Sequence, residues 1–260
     1  MKKTCNVTGK IFCLLLITCL FLFNTGCGLD TFYMIDAPYS VIHQPTYDNI
    51  DYSYRYFDFW TNETVEIEGF DFRGTEVYYK IYNNYSQMSS EISTLQSLAN
   101  DSEKNVTAAD KMIYPTDSGG YAYKELKVSG KYESPLIPAT GVNQRIYIRL
   151  TDYQSIPDYS ARICTIQDGE EKYLYESESK TIPVRNSSVI RTFNFGRSGQ
   201  YDTLPTSDDK DVKIDTENKS EYWYVAMFAV AVGYDYKFEV YRSNILYLGS
   251  VRIDATSQDN

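Results

Sequence analysis

Histidine occurs once in the 260 residues, at His43. Ser-His-Asp or Cys-His chemistry would have to pass its proton through that ring, which sits two residues before Pro45 in a segment that reads as a tether. A zinc centre wants several His or Cys ligands, and the chain does not supply them. No glycine-rich phosphate cradle and no dinucleotide fingerprint is present, so no cofactor and no metal is expected. Basic charge is scarce as well. Lys and Arg number 25 against 35 Asp and Glu, a net of −10. So acidic a surface repels nucleic-acid phosphates and anionic headgroups, which excludes nucleic acid as a partner and serves solubility.

Long apolar runs are nearly absent from the first 200 residues. The exception, Ile11 to Phe23, covers thirteen residues, and spanning a bilayer takes about 20. It follows Lys2, Lys3 and Lys10 and gives way to Asn24-Thr25-Gly26, with Cys27 directly behind. A basic start, a short apolar run and a small-residue exit make a secretory signal peptide over 1–26. The cysteine after a small residue resembles a bacterial lipoprotein signal, cut before Cys27, whose thiol then carries diacylglycerol. The usual Leu three positions before the cysteine is replaced by Asn24, a looseness typical of spirochaete lipoproteins. The alternative is an ordinary cleaved signal in which Cys27 is incidental, since Cys5, Cys13 and Cys19 also stand in the leader. The resemblance implies a palmitate-labelled protein of the cell envelope, attached to the membrane through lipid on Cys27, with 27–44 as a lipidated tether.

Removing the leader leaves 234 residues, with 22 Lys and Arg against 35 acids, a net of −13. That length is enough for one large or two small domains. Only Cys27 and Cys164 then remain, and with Cys27 capped by lipid no internal disulfide forms. The fold must rest on its core. Cys164, between Ile163 and Thr165-Ile166, is expected as a buried thiol.

Along the chain, Tyr52 to Thr61 alternates and is aromatic, a strand signature. Val65 and Ile67 alternate with glutamates up to Gly69. Thr75 to Asn83 places Val77, Tyr79 and Ile81 on one face and Tyr78, Lys80 and Tyr82 on the other, a half-buried strand. Met88, Ile92, Leu95 and Leu98 recur at helical spacing, predicting a helix over 89–100 capped by the local serines. A further helical turn is predicted at Ala108 to Ile113, so that 88–113 forms a helical insertion. Strands follow at 122–128, 145–150, 161–166, 172–175 and 192–195. Residues 196–220 read as a long polar loop. Glu221 to Val232 is apolar on both faces, as expected of a central strand, and its β-branched and aromatic content argues against a buried helix. Gly233-Tyr234-Asp235 reads as a turn, 245–253 as the last strand, and 256–260 as a disordered tail.

Many short strands with one helix predict an all-β, antiparallel sandwich over 45–255. Phe72-Arg73-Gly74-Thr75-Glu76-Val77-Tyr78-Tyr79-Lys80-Ile81-Tyr82 resembles the third strand of an immunoglobulin-like, fibronectin type III-like domain. Tyr222 to Val230 is similar to its penultimate strand and Ser243 to Gly249 to its last. With Cys27-Gly28-Leu29-Asp30-Thr31-Phe32-Tyr33, these segments resemble uncharacterised Treponema-type lipoproteins. The resemblance implies no activity and no site residues. One elaborated sandwich is favoured over two.

Tyrosine is the one excess, at 26 residues, all beyond the leader. Half-exposed strand faces account for many. Tyr52, Tyr54 and Tyr56, with Tyr234, Tyr236 and Tyr241, are candidates for a binding surface, since tyrosine joins rigid apolar area to a polar tip. Asp208-Asp209-Lys210-Asp211 lacks the loop glycine and distal glutamate of a calcium hand and reads as a solvated acidic loop. Two functions follow: a non-catalytic envelope lipoprotein that binds a protein or glycan, or a carboxylate-dependent hydrolase on a β scaffold with two facing acids.

Overall fold

The computed structural model describes residues 33–63, 68–129, 134–152, 160–175, 181–187, 189–197, 199 and 201–254. The leader, Cys27, the Val65 and Ile67 alternation and the tail at 256–260 lie outside the described residues. Strand accounts for 37% and helix for 15%, well below the ~30–35% helix of an average domain. The protein is mostly β.

In chain order the strands begin with β1 (Tyr39–His43), β2 (Phe57–Trp60) and β3 (Phe70–Tyr82). Two helices follow, α1 (Tyr85–Asn100) and α2 (Ala108–Ile113). Then come β4 (Lys124–Glu125), β5 (Lys127–Val128), β6 (Ile137–Pro138), β7 (Arg145–Arg149), β8 (Arg162–Gln167) and β9 (Glu170–Tyr173). The last are β10 (Pro183–Val184), β11 (Val212–Lys213), β12 (Tyr222–Asp235), β13 (Val240–Arg242) and β14 (Leu246–Asp254). One sheet is antiparallel in the order β1-β2-β7-β8-β9. A second is built on β3 and β12, which pair antiparallel along almost their whole length, and β5 and β10 form a small two-stranded sheet of their own. β13 and β14 flank β12, and β4, β6 and the parallel β11 line the far edge of β3.

The two larger sheets face each other. Phe57, Phe59, Ile146, Ile148 and Ile163 from the first meet Val77, Tyr79, Ile81, Val225, Met227 and Val251 from the second in one buried cluster. The opposite face of the β3–β12 sheet carries a second core. There Tyr78, Tyr82, Ala226, Phe228 and Val230 pack against Met88, Ile92 and Leu95 of α1 and Met112 of α2. At ~1.5–3 kcal/mol for each large apolar side chain buried, this helical layer is structural. It is more than the short insertion the sequence predicts.

It also overturns the half-buried reading of β3, which is enclosed on both faces. Lys80 suggested solvent, yet it is only 4% exposed. Its ammonium donates to Glu91 and to the Tyr121 carbonyl, and Glu91 also accepts from Tyr82 Oη at 2.6 Å. Burial pulls the Lys80 ammonium below its ordinary range, and the facing Glu91 works against that.

Several boundaries move for identifiable reasons. α1 starts at Tyr85 rather than 89, because Asn84, not a serine, is the cap and accepts from the Gln87 amide at 3.1 Å. The tether expected to run to residue 44 gives way to β1 at Tyr39. Gln44 Nε2 donates to the Tyr247 carbonyl, and Ser250 N donates to that of Pro45. Gly249 makes this approach possible, since a Cβ there would lie 2.6 Å from the Pro45 oxygen. Tyr52 to Tyr54 form a 3-10 turn before β2. The strand expected at 122–128 splits into β4 and β5, which join different sheets. Thr192 to Phe195 is no strand; Phe193 and Phe195 reach the core from irregular backbone. β12 continues through Gly233 and Tyr234 to Asp235 instead of turning there.

Candidate functional site

Alternation along the five-stranded sheet sends its aliphatic and phenylalanine side chains inward. The other face is mainly aromatic and charged, with His43, Tyr56, Asp58, Arg145, Tyr147, Arg149, Arg162 and Glu171 beside Cys164 and Ile166, and Asp58, Tyr147, Arg149 and Cys164 in it are buried. The rings line up across neighbouring strands. His43 stacks on Tyr56 with centroids 4.0 Å apart and planes 21° apart. Tyr56 stacks on Tyr147 at 4.8 Å and 23°. The Arg162 guanidinium lies 5.0 Å over the Tyr147 ring, and that of Arg149 5.6 Å over Tyr56.

Hydrogen bonds hold the row in place. His43 Nε2 lies 2.8 Å from the Tyr54 carbonyl oxygen. Arg149 Nε donates to Tyr147 Oη at 2.9 Å, and its two terminal nitrogens donate to the carbonyls of Tyr52 and Ser53. Arg145 grips Asp58 with two bonds of 2.9 and 2.6 Å. Arg162 grips Glu171 with two of 2.7 Å. Such paired forks are the strong form of the guanidinium–carboxylate contact.

Protonation follows from these surroundings. Burial raises both Tyr56 and Tyr147 above the ordinary phenol range. The Arg162 fork holds the Glu171 carboxyl below its usual value. Cys164 is buried, as the sequence predicts, and desolvation followed by the nearby Glu171 charge pushes its thiol up to about 12. A thiol so far from ionisation is no nucleophile. A maleimide probe should leave the native protein unlabelled and react fully after denaturation; rapid native labelling would contradict this burial.

The candidate tyrosines separate into two places. Tyr56 is inside the stack. Tyr54 is 51% exposed beside it, its ring 6.0 Å from that of His43. Tyr52 offers its carbonyl to Arg149, and the Arg55 guanidinium covers its ring at 4.7 Å. Tyr234, Tyr236 and Tyr241 belong to the β12–β13 hairpin, at the opposite end of the β3–β12 sheet from the Asp254 carboxylate that Arg55 grips. Sequence reasoning missed His43, taken for tether, and the arginines. The alternation Arg145-Ile146-Tyr147-Ile148-Arg149 was the available signal, because it puts three polar or aromatic groups on one strand face.

The acidic stretch is solvated only at Asp208 and Lys210, while Asp209 and Asp211 turn inward. Arg185 holds Asp211 with bonds of 2.9 and 2.7 Å and Asp209 with one of 2.9 Å. Arg191 pairs with Asp209 as well, and Tyr79 Oη donates to Asp211 at 2.6 Å. These acids neutralise guanidiniums, which leaves them no call for calcium. Among the described residues no group of three or more His, Cys, Asp or Glu can hold a metal ion. On the helix-covered face of β3, Glu76 accepts from Tyr78 Oη, Arg242 Nε and Ser134 Oγ, while Glu125 on neighbouring β4 pairs with Lys127. Each of these two acids is thus tied to its own cation.

No family model, curated protein or solved structure matches the chain. The functional reading therefore stands on these residues and their geometry. Among the described residues no helix is long and apolar enough to cross a membrane.

Proposed function

We propose that this protein is an exported envelope lipoprotein, anchored through Cys27, whose immunoglobulin-like ectodomain binds a protein ligand without chemistry of its own. The leader pattern supports export and anchoring. Two facing sheets, antiparallel but for the short β11, support the sandwich. The observation that carries the binding reading is the His43–Tyr56–Tyr147 row with its Arg145–Asp58 and Arg162–Glu171 forks. Arg145 and Arg162 are each matched by a carboxylate, Arg149 is held by carbonyls and the Tyr147 hydroxyl, the phenols are held protonated, and the thiol is neutral. Such a surface is rigid and amphipathic, as binding faces are.

Of a protein and a glycan, the row favours a protein. Stacking a sugar needs an open ring face, and Tyr56 and Tyr147 spend theirs on each other and on neighbours. With Tyr147 buried, what is left to a ligand is the half-buried edge of Tyr56, the exposed Tyr54 ring and the one-third-exposed Arg145 side chain.

Two measurements test this. In the native host, labelled palmitate should mark the protein, and Cys27→Ser should abolish labelling and release it from membranes; equal labelling of the variant ends the lipoprotein reading. A photo-cross-linking residue at Tyr54 should trap one discrete protein adduct on the envelope, and Tyr147→Ala should remove it. No adduct at Tyr54, or binding on a glycan array lost in Tyr147→Ala, would overturn the protein ligand.

A further inference from the structure

Scattered apolar residues are exposed in many places, but the β12–β13 hairpin concentrates them. Tyr236 is 68% exposed, Phe238 85% and Val240 45%. The turn that presents them is held firmly. Asp235, itself buried, accepts from the amides of Lys237 and Glu239, each at 2.8 Å, and the Phe238 amide donates back to the Asp235 carbonyl. Phe238 has a φ of +63°, a conformation suited to glycine and strained for a bulky side chain. A large ring in strained backbone, pointed at water, serves nothing within the fold. Lys237 places its ammonium 5.5 Å over the Tyr236 ring, so the tip mixes aromatic bodies with a cationic head. That is the composition of an interfacial anchor.

The position of the tip names its occupant. β3 and β12 run on as a ribbon, with Phe70 to Phe72 paired to β12, Arg73 in the bulge that follows, and Phe70 closing over Gly233, where a Cβ would meet the ring at 2.3 Å. At the root of this ribbon Gly74 pairs with both Val232 and Pro138. From there contacts lead directly to the first described residues: Gln144 donates to Pro138, Asn143 to Tyr39 Oη, and Asn62 to the Ala37 carbonyl. The chain thus enters at the end from which the hairpin projects. That end also exposes Met34 (85%) and Val142 (66%). The far end, with Tyr52 to Tyr54 and Asp254, lies a β12 length away, ~40 Å at 3.3 Å per residue.

Cys27 stands seven positions before Met34, a reach of at most ~25 Å when fully extended. Resting on the lipoprotein reading above, we infer that the Tyr236–Val240 tip inserts into the interfacial layer of the anchoring membrane, fixing the ectodomain upright with the Tyr54 face turned away. The lipid surface is an uncharged or zwitterionic one. At the tip Lys237 and Arg73 face Asp71, Asp235 and Glu239, and the mature chain carries −13 overall, so attraction to anionic lipid is not the driving term.

The test uses the mature full chain on phosphatidylcholine vesicles. It is held by its own lipid or, as the Cys27→Ser chain, by an N-terminal hexahistidine on nickel-chelating lipid. Phe238→Trp should add emission that is blue-shifted and largely lost when the vesicles contain brominated phosphatidylcholine. Tyr54→Trp should add emission that bromine leaves unchanged. Phe238→Gly, which suits the backbone, should keep the circular dichroism of the parent and loosen the upright orientation, read as fluorescence transfer from a dye at the far end to the membrane. Equal bromine quenching at 238 and 54, or none at 238, would overturn the inference. A blue shift without bromine quenching would also overturn it, by pointing to contact with a second protein. Palmitate labelling decides the anchor separately: an unlabelled chain whose tip is still quenched on the nickel lipid refutes the lipid anchor and leaves the tip's affinity for membrane standing.

Discussion

Val225→Asp and Phe228→Asp should each unfold the protein or bring it close to unfolding. β12 is the hub of the larger sheet, with β3 on one side and β13 and β14 on the other. The two positions differ by an odd number and therefore face opposite ways. Val225 lies in the core between the sheets and Phe228 in the core beneath the helices, both wholly buried. An unpaired carboxylate in either place costs about 3 kcal/mol or more, against a total stability of ~5–15 kcal/mol. Urea titration followed by circular dichroism measures both. One severe and one mild variant would mean that β12 is solvated on one face, contrary to the two-core arrangement. The parent spectrum should be β-dominated, in keeping with 15% helix.

The second large effect is expected at Arg185, whose side chain is fully enclosed. It binds both Asp211 and Asp209, and Asp211 in turn takes the Tyr79 hydroxyl. Arg185→Met would leave two carboxylates, their side chains 8% and 1% exposed, with too little positive charge. Breaking a buried pair from one side costs about 3–5 kcal/mol. Asp208→Asn, on the exposed neighbour, should stay within about 0.5 kcal/mol of wild type. Equal effects at the two positions would refute the enclosed pair.

Acidity provides a sign test for the same site. Burial alone would raise Asp209, but the Thr206 amide and the Arg185 and Arg191 guanidiniums outweigh it, so its carboxyl sits below the usual range. A carboxyl depressed in the folded state adds stability that is present in full above the ordinary Asp value of about 3.9. That stability disappears as pH falls through the lowered folded value. In Arg185→Met the deficit should therefore be greatest near neutral pH and shrink on acidification, when the stranded acids can protonate. A deficit that does not change with pH would show that lost packing, rather than lost charge pairing, sets the cost.

Sequence patterns were reliable where one local period decided the outcome. The doubly apolar run at 221–232 is a strand buried on both faces, Met88, Ile92 and Leu95 do mark one helical face, and Cys164 is a buried thiol, though on the polar face of its sheet. They failed where a distant partner changed a residue's meaning. Lys80 looked like a solvent-facing lysine until Glu91, eleven residues on, supplied a countercharge inside the second core. The acids around 209 looked hydrated because nothing local identifies Arg185 as their partner. His43 looked like part of a tether because pairing of β1 with β2 leaves no mark in β1 itself.

The same division runs through the functional surfaces. Export and anchoring at Cys27 are readings of adjacent residues, and alternation alone puts Arg145, Tyr147 and Arg149 on one face. Tertiary structure decided that this face stacks with His43 and Tyr56. It also divided the candidate tyrosines between two ends of the molecule and placed an exposed aromatic tip beside the point of chain entry. Local patterns report what each residue seeks from water or apolar surroundings. Which partner satisfies that need depends on strand order and on contacts far apart in sequence, and these arise only when the whole chain has closed around its two cores.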